Sequence, residues 1–387
     1  MPAPTRQLEL DHACALIAAC GFGPPGSPRS PAGNRSHRTI GVELESFVVP
    51  SVAPERLPEV DLPARSRLTF EPGGQVELSS PPERSVASAC DSLSEDLAAL
   101  EQAFSSQGVG LLQKGVRADP PPRLVDAPRY RAMETYFAPS WPEAGKAMMC
   151  ATASVQVNLG LGAGARARRR WLAANVLGPV LAAAFSSSPG PSGGGCRRMA
   201  VWLELDPSRT APVADPGRPS EDPGAAWARY ALAANVMLIR TPDEHHALVG
   251  APLTAGQWIE HGHELGWPTA DDIAYHLTTL FPPVRPRGWL ELRMIDALPD
   301  PWWRVPVAAA AVLLDDDEAV AACEPVADRW WEAATDGLAD PALAAAAAVC
   351  ARRTLAGLGR VGADVGTAVM TEQWAATVRK GCEPPWQ

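Results

Sequence analysis

The chain has 387 residues, 46% hydrophobic and 20% charged, which is enough apolar content for a large core and excludes a disordered or low-complexity polymer. Its net charge of −10 excludes a whole-chain attraction to nucleic acid or anionic lipid. Eight cysteines, at 14, 20, 90, 150, 196, 323, 350 and 382, form no C-x-x-C pair and no Cys/His zinc pattern, so they read as small apolar residues of a reducing cytosol.

The N-terminus, MPAPTRQLELDHACAL, carries acids and has no basic stretch ahead of an apolar one, so no signal peptide is expected. The apolar stretches read as too short to span a bilayer, and a cytoplasmic protein without a membrane partner is the expectation. A helix is predicted over 6–20, followed by a Pro/Gly/Ser/Arg-rich loop over 21–38 that resists packing. A strand follows at 39–49 (TIGVELESFVV), then a Pro-rich link and the stretch LTFEPGGQVELSSPP at 68–82. Apolar residues at helical spacing mark a helix over 87–107, with a strand over 108–114 and a further helix from about Arg129.

Strand 153–161 (ASVQVNLGL) leads into a helix over 167–185. The RARRRW run at 166–171 reads as the solvated face of that helix, because apolar residues follow at once. After a loose loop over 186–195, a strand is predicted over 199–205 (MAVWLEL), then a Pro/Asp/Gly-rich segment over 207–224. Helix 225–232, strand 235–240, helices around 254–265 and 269–280, and strand 288–296 (GWLELRMID) complete the middle of the chain. The segment PDPWWRVPVAAAAVLLDD starts a helix after its prolines, and everything from about 318 is helical and Ala-rich. There is no internal repeat. Strands interleaved with helices make an α+β fold, expected as one domain over 1–387 with a C-terminal helical layer over about 318–387.

Reading the strands by period two separates two faces. Glu43 and Glu45 oppose Val42 and Leu44; Gln75 and Glu77 oppose Val76 and Leu78; Ser154, Gln156 and Asn158 oppose Val155, Val157 and Leu159. Glu291 and Arg293 oppose Leu290, Leu292 and Met294, and VWLELD adds Trp202, Glu204 and Asp206. If the strands are neighbours, the polar face gathers at least five carboxylates with few cations, and mutual repulsion then demands a divalent metal. Oxygen-only ligands point to hard ions, Mg²⁺ or Mn²⁺, and two or three such ions imply nucleotide phosphates. Arg293, beside Glu291, suits a phosphate clamp. The competing reading is an antiparallel sheet with one solvated face. Such faces mix Lys and Thr with acids, whereas these strands hold almost no Lys.

The stretch EPGGQVELSSPP resembles the signature strand of the plant and proteobacterial type of glutamate–cysteine ligase, a branch of the carboxylate–amine ligases. The resemblance continues at RYRAMETY (129–136), MMCATASVQVNL (148–159) and HLTTLFPPVRPRGWLELRMIDALPDPWWRVP (276–306), and covers about 40–325. It implies a curved, mainly antiparallel sheet like the catalytic domain of glutamine synthetase, with a concave active-site face backed by helices. It also implies ATP-dependent joining of the γ-carboxylate of L-glutamate to the amine of L-cysteine through γ-glutamyl phosphate, with Mg²⁺. By the same resemblance, Glu43, Glu45, Glu71, Glu77 and Glu291 match metal-binding carboxylates. Gln156 falls where related bacterial ligases place a metal-binding His, and Arg293 matches the arginine that contacts the transferring phosphoryl group. Arg129, Arg198 and Trp202 match positions around the glutamate substrate, with Tyr130 and Met149 as pocket walls.

His276 and Thr278 read as helix-capping or structural residues as readily as substrate contacts, and His261/His263 as surface residues. Trp302, Trp303, Trp330 and Trp331 read as core. A sister ligase using another amine, or a non-catalytic amino-acid or thiol sensor on the same fold, are the alternatives. An actinobacterial composition suggests that the product feeds ergothioneine synthesis, and a monomer is favoured.

Overall fold

The structure is a computed structural model that describes residues 8–23, 39–190, 193–213, 222–241, 246–382 and 384–386. Most of the predicted 21–38 loop, the first residues of the predicted 6–20 helix and part of the 207–224 segment lie outside them.

Nine strands are described: β1 (Ile40–Val49), β2 (Arg67–Phe70), β3 (Val76–Ser79), β4 (Gly110–Leu112), β5 (Ser154–Gly160), β6 (Leu238–Arg240), β7 (His246–Leu248), β8 (Val284–Pro286) and β9 (Trp289–Asp296). Seven of them form one antiparallel sheet in the order β2-β3-β1-β5-β9-β8, with β4 paired to the far end of β1; β6 and β7 form a separate hairpin. The expected period-two pattern holds on β1, β3, β5 and β9. Val42, Leu44, Val76, Leu78, Val155, Val157, Leu159, Leu290 and Leu292 are all buried on the apolar face.

The helices are α1 (Leu10–Phe22), α2 (Val86–Ser105), α3 (Pro128–Phe137), α4 (Pro142–Ala151), α5 (Ala165–Ala184), α6 (Arg197–Leu203), α7 (Pro207–Thr210), α8 (Pro223–Ala233), α9 (Ala255–His261), α10 (Ala270–Leu277), α11 (Arg304–Leu313), α12 (Asp317–Cys323), α13 (Trp330–Thr335), α14 (Pro341–Val361) and α15 (Val365–Lys380). Helices α2, α5 and α11 pack on the apolar face, and α14 and α15 lie behind α11. Every residue of α11 from Val305 to Leu313 is buried, and its alanines let neighbouring backbones approach closely. On the opposite side of the sheet a second apolar cluster joins α3, α4 and α6 to Met237, Leu238 and Phe281. The sheet's polar face looks toward this second cluster, and the site lies between them.

Three expectations are corrected. Residues 199–205 are not a strand: α6 runs through Arg197–Leu203. Arg, Met, Ala and Leu favour helix there, and the alternation in VWLELD also satisfies an i, i+4 spacing, which puts Arg198 and Trp202 one turn apart on the cavity side. Glu204 is therefore exposed, and Asp206 caps α7 and pairs with Arg209 at 3.1 Å instead of joining the acidic face. Trp331 is 50% exposed, although Trp303 and Trp330 are core residues as expected. Helix α14 is long and apolar enough to cross a membrane, against the expectation from the sequence, but Leu343, Ala346, Ala347 and Cys350 are buried within the fold. The arginine run is paired: Arg166, Arg169 and Arg170 meet Asp315, and Arg169 also meets Asp317.

Candidate active site

The β2–β3 hairpin turns at Glu71-Pro72-Gly73-Gly74, closed by Glu71 N–H to Gln75 O and Gly74 N–H to Glu71 O, each 2.8 Å. Gly74 has φ +80°, and a Cβ on Gly73 would sit 2.6 Å from the Cys150 Cα, so both positions need glycine. Gln75 is buried and donates to Thr152 O at 3.0 Å and Met149 O at 3.3 Å, which pins the hairpin to the end of α4. This anchoring holds Glu71 over the sheet.

There it meets two more carboxylates. The registers set Glu45 directly opposite Glu77, and Glu43 directly opposite Gln156. Like charges paired across a ladder repel. Oxygens of Glu45, Glu71 and Glu77 lie within 4.8 Å of one another. Glu45 accepts from Ser154 N–H at 2.7 Å and Gln156 Nε2 at 2.9 Å; Glu77 accepts from Thr69 Oγ1 at 2.9 Å and Ser79 Oγ at 3.2 Å. Glu43 accepts from Asn158 Nδ2 at 3.0 Å.

These hydrogen bonds do not offset the crowding. Burial, then repulsion from Glu77 and Glu45, pushes Glu71 up to about 8, against the pull of Arg293 and Arg129. Burial, then Glu291 and Glu77, raises Glu43 to about 7, and burial leads the upward shifts of Glu45 and Glu77. Three oxygen donors that cannot all ionise cheaply, with no nitrogen or sulfur ligand in the cluster, fit a hard divalent cation.

Glu291 belongs to a different arrangement. It is fully buried and accepts from Arg285 Nε at 2.5 Å and Nη2 at 3.0 Å, from Arg287 Nη1 at 3.1 Å and from Arg293 Nη1 at 3.4 Å. Burial alone would raise its carboxyl, but Arg285 and Arg293 outweigh it and hold the group down at about 2. The β5–β9 register shifts between Val155 and Val157, next to Gln156 and Arg293, the kind of bulge that re-aims a side chain. Gln156 joins the two groups: its Nε2 donates to Glu45, and its Oε1 accepts from Arg293 Nη1 at 2.7 Å.

The cavity holds about 820 Å³, and Glu43, Glu45, Glu71, Glu77, Gln156, Arg129, Tyr130, Met149, Arg198, Trp202 and Arg293 all line it. Glu291 does not, lying behind its arginines. Arg198 is anchored on Arg293 O at 2.8 Å, and both Arg198 and Arg293 lie over the Trp202 ring, at 6.0 and 5.6 Å. Arg285 and Arg287, which also line the cavity, were not singled out from the sequence. Arg285 stands on β8 and Arg287 just past its end, and three strand residues ending in Pro286 carry too little alternation to mark either one. His276 is elsewhere: its Nε2 meets Ala231 O at 2.9 Å, and burial followed by Arg209 lowers it to about 4, a structural histidine. His261 and His263 lie outside the cavity lining.

The sequence matches the family described as Glutamate-cysteine ligase family 2 (GCS2) over residues 39–384. It is 42% identical over 336 residues to the glutamate–cysteine ligase EgtA of Mycolicibacterium smegmatis, spanning 81% of this chain and 78% of that protein. It is 30% identical over 282 residues to a chloroplastic glutamate–cysteine ligase of Arabidopsis thaliana, spanning 68% of this chain and 52% of that one. Among solved structures the fold is similar to that of the glutamate–cysteine ligase of Francisella tularensis, solved in complex with AMP, with a TM-score of 0.51 at 11% identity over 90% of this chain and 83% of that one.

Proposed function

This chain belongs to glutamate–cysteine ligase family 2, and we infer that it joins the γ-carboxylate of L-glutamate to the amine of L-cysteine at the expense of ATP. The observation that carries the reading is the pairing of a carboxylate triad with an arginine cluster in one cavity. A γ-carboxylate oxygen attacks the γ-phosphorus of ATP and ADP leaves. The cysteine amine then attacks the acyl phosphate carbon: the C–N bond forms, the C–O bond breaks with its electron pair going to the departing phosphate, and the nitrogen gives up one proton. A carboxylate cannot expel oxide, and phosphorylation supplies the leaving group.

Glu45, Glu71 and Glu77, with Glu43 adjacent, would hold Mg²⁺ or Mn²⁺, which neutralises phosphate charge when bound. Gln156 orients Arg293 toward the transferring phosphoryl group while fixing Glu45. Arg293, with Arg285 and Arg287, supplies fixed positive charge where oxyanions develop. Arg129 and Arg198 take the glutamate carboxylates, and Trp202, Tyr130 and Met149 wall the amino-acid side. One chain supplies every one of these groups, so a monomer is a sufficient working form. Cys90, Cys150, Cys196, Cys323 and Cys350 are buried thiols, the use of cysteine expected in the cytosol. On this reading γ-glutamylcysteine feeds ergothioneine biosynthesis, as the likeness to EgtA proteins supports.

Purified protein supplied with Mg²⁺, ATP, glutamate and each amino acid in turn is expected to release phosphate and form γ-glutamylcysteine only with cysteine. Equal release without cysteine, or with a different amine, overturns the reading.

A further inference from the structure

We propose that Thr278 is a positioning residue for the amino-acid half of the site, setting the direction in which Arg129 reaches. The proposal rests on the reading of Arg129 as a carboxylate partner. Arg129 stands in the first turn of α3 on a long, flexible stem, yet its guanidinium is held at two points on one residue far along the chain. Its Nη1 donates to Thr278 Oγ1 at 2.8 Å and its Nη2 to Thr278 O at 2.6 Å. Thr278 is the C-cap of α10, so that carbonyl belongs to the negative end of a helix, and the Tyr275 ring lies 5.6 Å from the guanidinium carbon.

The hydroxyl has one possible role. Thr278 Oγ1 donates its proton to Tyr275 O at 2.7 Å and is left with lone pairs for Arg129. Two of the five guanidinium N–H vectors are thereby fixed, and the remaining donors keep a set direction along the cavity wall, which Arg129 and Thr278 both line.

The turn that carries Thr278 is itself held from behind. Fully buried Arg209, which does not line the cavity, donates to Thr279 O at 2.7 Å and to Asn235 O at 2.5 Å, and pairs with Asp206. Its own carbonyl accepts from Phe281 N–H at 2.7 Å, and Phe281 packs edge-on against Trp202. Residues 278–281 are a rigid wall segment, and Arg129 is docked on its first residue.

The test is steady-state kinetics on Thr278→Val, Thr278→Ser and Arg129→Ala, with KM for glutamate, ATP and cysteine measured separately and melting temperature alongside. Thr278→Val keeps the shape and removes the acceptor, and is expected to raise KM for glutamate about tenfold, the effect of one hydrogen bond to a charged group. KM for ATP and the melting temperature stay at wild-type values, and Thr278→Ser restores KM for glutamate. If Arg129→Ala raises KM for glutamate but Thr278→Val does not, Thr278 has no positioning role and the reading of Arg129 stands. If Arg129→Ala leaves that KM unchanged, both fall. A rise in the KM values for glutamate and ATP together, or no rescue by serine, means that Thr278 only packs and overturns the proposal.

Discussion

At Glu71 the cost of the site is concentrated in one side chain. Its carboxyl is pushed to about 8 by burial, Glu77 and Glu45, so in the metal-free protein at neutral pH it holds a proton that a cation must displace. Glu71→Gln keeps the shape and removes the repulsion. The variant is expected to fold, to melt no lower than wild type at pH 8 without metal, and to lose at least about 100-fold in kcat, since a cation ligand is gone. A variant that turned over normally would sink the metal assignment. Gln156 shows where residue-level reading stops. The strand period put its side chain on the polar face, but which amide atom faces which partner depends on Glu45 and Arg293, neither adjacent in sequence. Glu291 is similar. The strand period places it on the polar face with the other acids, and the β8–β9 register then sets it opposite Arg285 and makes it the anchor of three arginines.

Among the elements, the β2–β3 hairpin is fixed at Gly73, Gly74 and Gln75. Gly73→Ala would force a Cβ into the Cys150 backbone and shift the turn that carries Glu71. The expected result is a loss of about 1–3 kcal/mol in stability, with Mg²⁺ affinity falling more than the loss of stability requires, measured by chemical denaturation and metal titration. Unchanged metal affinity would show that the turn does not place Glu71. The long strands were legible because one face is buried and a period of two cannot be satisfied otherwise. Helix α6 was not, since seven residues are too few to separate a period of two from one of 3.6, and the deciding fact is that Arg198 and Trp202 meet one cavity. Strand β8, three residues ending in Pro286, carries too little pattern to be read at all.

For the whole molecule, the carboxylates make stability depend on pH and metal together. Glu43 and Glu71 rise from an ordinary 4.5 to about 7 and about 8, so the folded protein binds more protons than the unfolded chain between those limits. Their contribution is full below pH 4.5 and is lost as pH rises through 7 and 8. Glu291, depressed to about 2, acts in the opposite sense, but only as pH falls below 4.5. The melting temperature in chelator is therefore expected to fall between pH 6 and 8.5. The gain from saturating Mg²⁺ is expected to be larger at the higher pH, because fewer protons are displaced. Scanning fluorimetry at both values tests this, and equal Mg²⁺ gains would contradict it.

The triad and the arginines also differ in where the chain stores them. Glu45, Glu71 and Glu77 come from one continuous stretch whose strands lie side by side in the order β2-β3-β1, while Arg285, Arg287, Glu291 and Arg293 come from the β8–β9 hairpin. The two meet through β5, where Gln156 spans the seam. The active site is thus written as an acidic cassette and a basic cassette, and the acidic one leans on β5 and the end of α4: Ser154, Gln156 and Asn158 hold its glutamates, and Met149 and Thr152 hold Gln75. A chimera that exchanges the acidic cassette between relatives is therefore expected to keep its site only when the β5 and α4 residues that hold it come along.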